Sequence, residues 1–221
     1  MRIGLFGGTF NPIHLGHLRA AVEVREGFDL DHIFLIPAAL PPHKMPGEVA
    51  DAADRLKMLN LAVEDTSGLE VSDVELKRSG LSYTIDTVHY FIRTFSDESL
   101  IFLIMGLDAF LEIDTWKSHE ELLAKMPFIV INRPIAEEAG VGSERQLIED
   151  FLRSKLSENY IFYHAQSYYK LEGKQPIYIY QVSALDISST KIRKIIKKGR
   201  SIEYLVPKKV AEFITSKGLY L

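Results

Sequence analysis

The sequence predicts an α/β fold, a doubly wound parallel sheet with a small C-terminal helical part, and three observations predict it. Short apolar, β-branched runs recur along the chain with helical segments between them, the alternation expected of strand–helix–strand units. Several of these runs are hydrophobic almost without interruption, as strands are when both faces of a parallel sheet are covered. The first run ends in a glycine pair, Gly7-Gly8, and leads into a helical stretch, the place where such sheets turn from strand to helix.

Strands are expected at about 2–6 (RIGLF), 32–37 (HIFLIP), 70–76 (EVSDVEL), 100–105 (LIFLIM), 127–132 (PFIVIN) and 177–182 (IYIYQV). Helical patterns lie between them at about 15–28, 51–65, 83–95 and 118–125. Ligands of such sheets bind beyond the carboxyl ends of the strands. Gly7-Gly8, Pro41 to Lys44, Gly106 to Asp108 and Asn132-Arg133 all follow expected strands, so they are expected at one crevice. Residues 135–176 are the least regular and read as a variable insertion. Within it Glu144 to Leu156 forms an amphipathic helical pattern. The stretch Tyr160 to Gln175 is rich in tyrosine and carries few helix or strand cues; its tyrosines suit local packing or a subunit contact better than stacking on a base. Residues 187–221 form the C-terminal helical part of a single domain, 1–221.

A chain of 221 residues can bury a sizeable core. At 47% hydrophobic and 25% charged, its composition is that of an ordinary globule. A net charge of −4, from 26 basic and 30 acidic residues, gives no general attraction to nucleic acid or to anionic membranes. Any phosphate must therefore be held by local cations and N–H groups. Zero cysteines exclude disulfides and suit a reducing cytoplasm. No leader pattern and no run of the ~20 apolar residues needed to span a bilayer is found.

The motif with the most chemistry in it is Gly7-Gly8-Thr9-Phe10-Asn11-Pro12-Ile13-His14-Leu15-Gly16-His17. Glycines admit a ligand to the backbone. A helix N-terminus favours an anion, and two imidazoles about one turn apart face the same ligand. The motif fits neither the dinucleotide fingerprint nor the P-loop. Without cysteine or an H-E-x-x-H, and with the other histidines scattered, zinc is not expected. Near the other end, Ile187-Ser188-Ser189-Thr190 precede an apolar/basic helical pattern that includes Lys191, Arg193 and Lys194 and closes at Lys198-Gly199. Serines before a helix are N-caps.

These two segments resemble the paired signatures, G-G-[TS]-F-[DN]-P-x-H-x-G-H and I-S-S-T-x-I-R, of the nucleotidyltransferases related to class I aminoacyl-tRNA synthetases. Pro41-Pro42-His43-Lys44, Gly80-Leu81-Ser82-Tyr83-Thr84, Gly106-Leu107-Asp108 with Trp116, and the closing Val210 to Tyr220 resemble the bacterial nicotinate-nucleotide adenylyltransferases. The resemblance spans the chain except about 135–177. It implies a Rossmann-like fold and transfer of the adenylyl group of ATP to nicotinate mononucleotide, in a cytoplasmic enzyme of NAD biosynthesis, either monomeric or a homo-oligomer. It implies His17 as the donor to the α-phosphate, His14 as a phosphate-orienting group, and Lys44 and Arg193 as catalytic cations. ATP would meet Gly7, Gly8, Thr9, Phe10, His14, His17, Gly106, Asp108, Arg133, Ile187, Ser188, Ser189 and Arg193. The mononucleotide would meet Lys44, Tyr83, Thr84 and Trp116. Magnesium is expected on the ATP phosphates, with no dedicated protein ligand. Asn11 stands where many relatives have Asp and keeps the turn chemistry.

Two other kinds of function are open at this level. One is a sister adenylyltransferase for nicotinamide mononucleotide or phosphopantetheine. The other is a non-catalytic nucleotide sensor, which the presence of His17, Lys44 and Arg193 disfavours. A tRNA synthetase would carry a K-M-S-K-S loop where I-S-S-T-K-I-R stands.

Overall fold

The computed structural model describes residues 1–39, 49–132 and 141–221, with side chains from 144 onward in the last of these. Lys44 and Arg133, with Pro41, Pro42 and His43, lie outside the described residues. The eight strands follow the order β3-β2-β1-β4-β5-β8-β7-β6, and the chain divides into two compact units, 1–5 with 83–184 and 6–82 with 185–221.

The second unit takes the end of β1 (Arg2–Gly8), then α1 (Leu15–Gly27), β2 (His32–Pro37), α2 (Ala52–Val63), β3 (Leu69–Val71), α7 (Ser189–Lys197) and α8 (Lys208–Lys217). β2 and β3 pair in parallel, Leu35 opposite Val71. β3 is shorter than the expected 70–76. After Val71 the chain turns at Asp73, whose carbonyl accepts from Leu76 N–H (2.9 Å) and Lys77 N–H (3.1 Å); the turn chemistry of Ser72-Asp73 overrides the β-rich pattern that follows. α2 buries Arg55, Met58, Leu59 and Ala62, an i, i+3, i+4, i+7 face. α7 closes on Lys198 with Gly199 in the left-handed region (φ 64°), the stop expected of a Lys-Lys-Gly end.

The first unit takes the start of β1, then α3 (Thr84–Thr94), β4 (Leu100–Gly106), α4 (Leu107–Phe110), α5 (His119–Lys125), β5 (Phe128–Asn132), α6 (Val141–Phe151), β6 (Ile161–Tyr163), β7 (Tyr168–Lys170) and β8 (Ile177–Gln181). β4–β5 and β5–β8 are parallel. Ile101 to Met105 and Phe128 to Ile131 are buried at every position, which is why these runs show no alternation in the sequence. α3 buries Ile85, Val88 and Phe91 on one stripe.

The parallel sheet gains two strands that the sequence does not announce. β6 and β7 pair antiparallel, and β7 pairs antiparallel with β8, so the sheet is mixed. Three-residue strands are too short to show a period, which is why Tyr160 to Gln175 reads as cue-poor. The tyrosines pack locally. Tyr163 and Tyr168 stack at 4.9 Å, and Tyr168 meets Tyr178 at 5.3 Å. Burial pushes the Tyr169 hydroxyl up to about 12, so it stays neutral and donates to Glu149 Oε1 at 3.3 Å. The expected helix at 144–156 is α6, continued by a π-turn over Leu152–Leu156. Among the described residues no helix is long and apolar enough to cross a membrane.

Candidate active site

In the second unit the first motif folds into a turn between β1 and α1. Phe10 sits there with φ +46°, a left-handed backbone that costs a residue with a Cβ about 1–2 kcal/mol. Phe10 is 3% exposed, and its ring meets Phe6 edge-on at 5.9 Å and His17 at 5.1 Å. That ring explains Gly8: a Cβ there would come within 3.1 Å of it, whereas a Cβ on Gly7 would meet nothing within 4 Å. Gly7, then, is the position open to an approaching group; Gly8 is glycine for the sake of Phe10.

His14 is the N-cap of α1, with extended φ −147° and ψ 167°, and His17 ends the first turn, its N–H donating to His14 O at 2.9 Å. The two imidazoles stack, centroids 3.6 Å apart and 25° from parallel. His14 is 2% exposed, while His17 is only half-buried. The spacing that suggested two imidazoles on one face thus gives one buried ring supporting one accessible ring. α1 has no acidic residue in its first turn, which keeps that end of the helix favourable to an anion.

The second motif folds onto the first. Ser188 caps α7, its Oγ accepting from Lys191 N–H. Ser189 Oγ donates to Pro12 O at 2.8 Å, a contact across 177 positions of sequence. Arg193 donates to Asn11 O at 2.9 Å and to Thr190 Oγ1 at 3.3 Å. Lys191 pairs with Asp186 at 2.6 Å, so of these two cations only Arg193 reaches the turn. Ile187 is half-buried just before the cap.

Four residues tie this turn together, and of them only Arg55 lay outside the sequence motifs. Arg55, 1% exposed, donates to Thr9 O, Ala39 O and Ala50 O; an arginine on the apolar face of α2 was the available clue. Asn11 Oδ1 accepts from Ala50 N–H (3.0 Å) and from the Tyr220 hydroxyl (2.9 Å), so Asn11 bridges distant segments and does more than shape its own turn. Burial holds the Tyr220 hydroxyl above the ordinary phenol range, which keeps it a donor. Ser82 Oγ accepts from Ala39 N–H at 2.8 Å.

The first unit carries the remaining expected residues. β4 runs directly into α4 through Gly106, and Asp108 turns back so that its Oδ1 lies 2.5 Å from where a Gly106 Cβ would be. The Asp108 carboxylate is exposed. Tyr83 is the N-cap of α3 and Thr84 its first residue. Lys117 Nζ lies 4.3 Å over the Tyr83 ring and 3.6 Å from Asp86, a neighbour the motif did not include. Trp116 follows a 3₁₀ turn, Ile113–Thr115, and is half-exposed, so its indole retains surface for a ligand.

The chain has well-defined relatives. The cytidylyltransferase-like family matches residues 5–195. A probable nicotinate-nucleotide adenylyltransferase of Desulfatibacillum aliphaticivorans is 46% identical over 222 residues, covering 100% of both chains. One from Geobacter sp. (strain M21) is 39% identical over 222 residues, covering 100% of this chain and 99% of that one. Among solved structures, the Plasmodium falciparum nicotinic acid mononucleotide adenylyltransferase complexed with NaAD superposes with a TM-score of 0.69 at 17% identity, over 99% of this chain and 97% of that one. At that identity the likeness concerns the fold.

Proposed function

The chain belongs to the cytidylyltransferase-like family, in its nicotinate-nucleotide adenylyltransferase branch, and on that premise we propose that it transfers the adenylyl group of ATP to nicotinate mononucleotide, giving deamido-NAD and pyrophosphate in NAD biosynthesis. The observation that carries this reading is the meeting of the two motifs: Ser189 on Pro12 and Arg193 on Asn11 join the capped end of α7 to the turn that bears His14 and His17.

The acceptor phosphate is a monoester carrying nearly two negative charges at neutral pH. It attacks the α-phosphorus of ATP, the bond from that phosphorus to the β-phosphate oxygen breaks, and pyrophosphate leaves with the electron pair. The nucleophile is already ionised, so no general base is needed. The protein's work is positioning and charge stabilisation.

His17, whose ring packs on Phe10 and His14, donates to the α-phosphate as charge grows there. His14 supports that ring by stacking on it. Thr9 and Phe10 offer main-chain N–H groups, Gly7 the open approach, and Ser188, Ser189 and Arg193 the phosphate-facing end of α7 with Ile187 leading into it. Lys44 and Arg133 are proposed as further cations from their motifs alone. In the other unit, Gly106 and Asp108 take ribose hydroxyls, and Trp116 stacks on the pyridine ring. The start of α3 at Tyr83 and Thr84 takes the carboxylate, a charge-assisted contact that an amide would lose. A divalent cation, magnesium, would come in with the phosphates of ATP, held by them rather than by a dedicated set of side chains. When bound it offsets phosphate charge.

The test is pyrophosphate release by the purified protein with ATP and magnesium, comparing nicotinate mononucleotide, nicotinamide mononucleotide and phosphopantetheine. We expect at least a tenfold higher kcat/KM for the first, the scale of one lost charge-assisted hydrogen bond, about 1.5–3 kcal/mol. Preference for either of the others would move the chain to a sister activity.

A further inference from the structure

Arg55 is the largest fully buried side chain of the described residues and the one strong cation among them. Its hydrogen bonds go to three main-chain carbonyls from three segments: Nε to Ala50 O (2.9 Å), one terminal nitrogen to Thr9 O (2.9 Å) and the other to Ala39 O (3.3 Å). Thr9 is the residue before the left-handed Phe10. On the far side of Phe10, Asn11 O is taken by Arg193. Two guanidinium groups therefore bracket the one left-handed residue of the turn, one from α2 and one from α7.

Ala39 and Ala50 are tied a second time, Ala39 N–H to Ser82 Oγ and Ala50 N–H to Asn11 Oδ1. Each thus has both its donor and its acceptor engaged within this network.

We propose that Arg55 is a positioning residue for adenylyl transfer, the clamp that holds the main chain of Thr9 and Phe10, and through them His17, where the phosphates of ATP are received. This rests on the function proposed above and adds to it a residue that touches no substrate. A buried cation satisfied by carbonyls of distant segments fixes their mutual placement, because a planar fork has its donors in set directions. A lysine ammonium keeps the charge but cannot address three carbonyls spread around that plane.

The experiment compares Arg55→Lys and Arg55→Gln with the wild type in full-length protein. It reads the thermal unfolding midpoint, the ATP Kd by calorimetry with magnesium and no acceptor, and kcat and KM with the best acceptor found. The expected result for Arg55→Lys is a midpoint within about 5 °C of wild type, an ATP Kd raised at least threefold, and a kcat lowered about 10- to 100-fold, the scale of a small misplacement of reacting groups. Arg55→Gln should fall further on both. A folded Arg55→Lys with wild-type kcat and ATP Kd would overturn the proposal, since charge and bulk would then suffice. Loss of activity only in step with the unfolded fraction, or loss of the fold in both variants, would assign Arg55 to stability alone and overturn it too. Wild-type silence toward nicotinate mononucleotide would instead break the proposed function, and the ATP Kd would still read the clamp.

Discussion

The turn at Thr9–Asn11 and the turn at Gly106–Asp108 both follow a buried strand and both open a helix, yet they are built by different means. The second is local. Gly106 leaves room, Asp108 folds back over it, and Leu111 N–H closes on Leu107 O at 3.0 Å. The first is held from outside, by Arg55, Arg193, Ser189 and Tyr220, from helices and a C-terminal segment as far as 209 positions away. The lesson is about tolerance. The roles proposed for the two turns fit that difference: a ribose would be met by one carboxylate with some latitude, whereas a reacting phosphate would need donors whose error is small.

The sharpest way to break that comparison is His17→Ala. We expect kcat to fall about 10²- to 10³-fold, as when a single transition-state donor is removed. Because the ring packs on Phe10 and His14, the variant should also lose about 1 kcal/mol of stability, seen as a few degrees in the melt. Unchanged turnover would remove His17 from the chemistry. In the other unit Trp116→Ala should raise the KM for the mononucleotide about tenfold, a stacking contact's worth, and leave the KM for ATP within twofold. Equal weakening of both would make Trp116 a packing residue.

Smaller effects separate the glycines. Gly106→Ala drives a Cβ into Asp108 and should raise the ATP KM about fivefold, the loss of roughly one hydrogen bond. Gly7→Ala meets nothing in the protein, so its melt should not move, and a raised ATP KM would report directly that phosphate passes over Gly7. No change in either quantity would mean that it does not.

The local features were legible in the sequence because local physics writes them. Continuous apolar runs gave β1, β2, β4, β5 and β8, and Ser188 and the Lys-Lys-Gly stop gave both ends of α7. The stacked histidines, the cap and the Gly106–Asp108 turn were all within reach of spacing arguments. What spacing cannot show is which distant group closes a carbonyl. Spacing puts Arg55 on the face of Met58, Leu59 and Ala62 but does not show that its donors reach Thr9, Ala39 and Ala50, and Asn11 looks like a turn residue until Ala50 and Tyr220 arrive. Strands of three residues escape for a different reason: β6 and β7 are shorter than one full repeat of the alternation that would announce them.

Those short strands have a consequence for the protein in concentrated solution. Without β6 and β7, the five residues of β8, Ile177 to Gln181, would present an unpaired row of N–H and C=O groups beside apolar side chains, a template for another chain to join. β7 covers that row at Tyr168 opposite Tyr178 and Tyr169 opposite Ile177. What is left outermost is β6, three residues long, while at the opposite margin stands β3, also three residues. Among the described residues each of these two strands offers a neighbouring chain three ladder positions at most, the short-edge device by which sheets discourage edge-to-edge pairing.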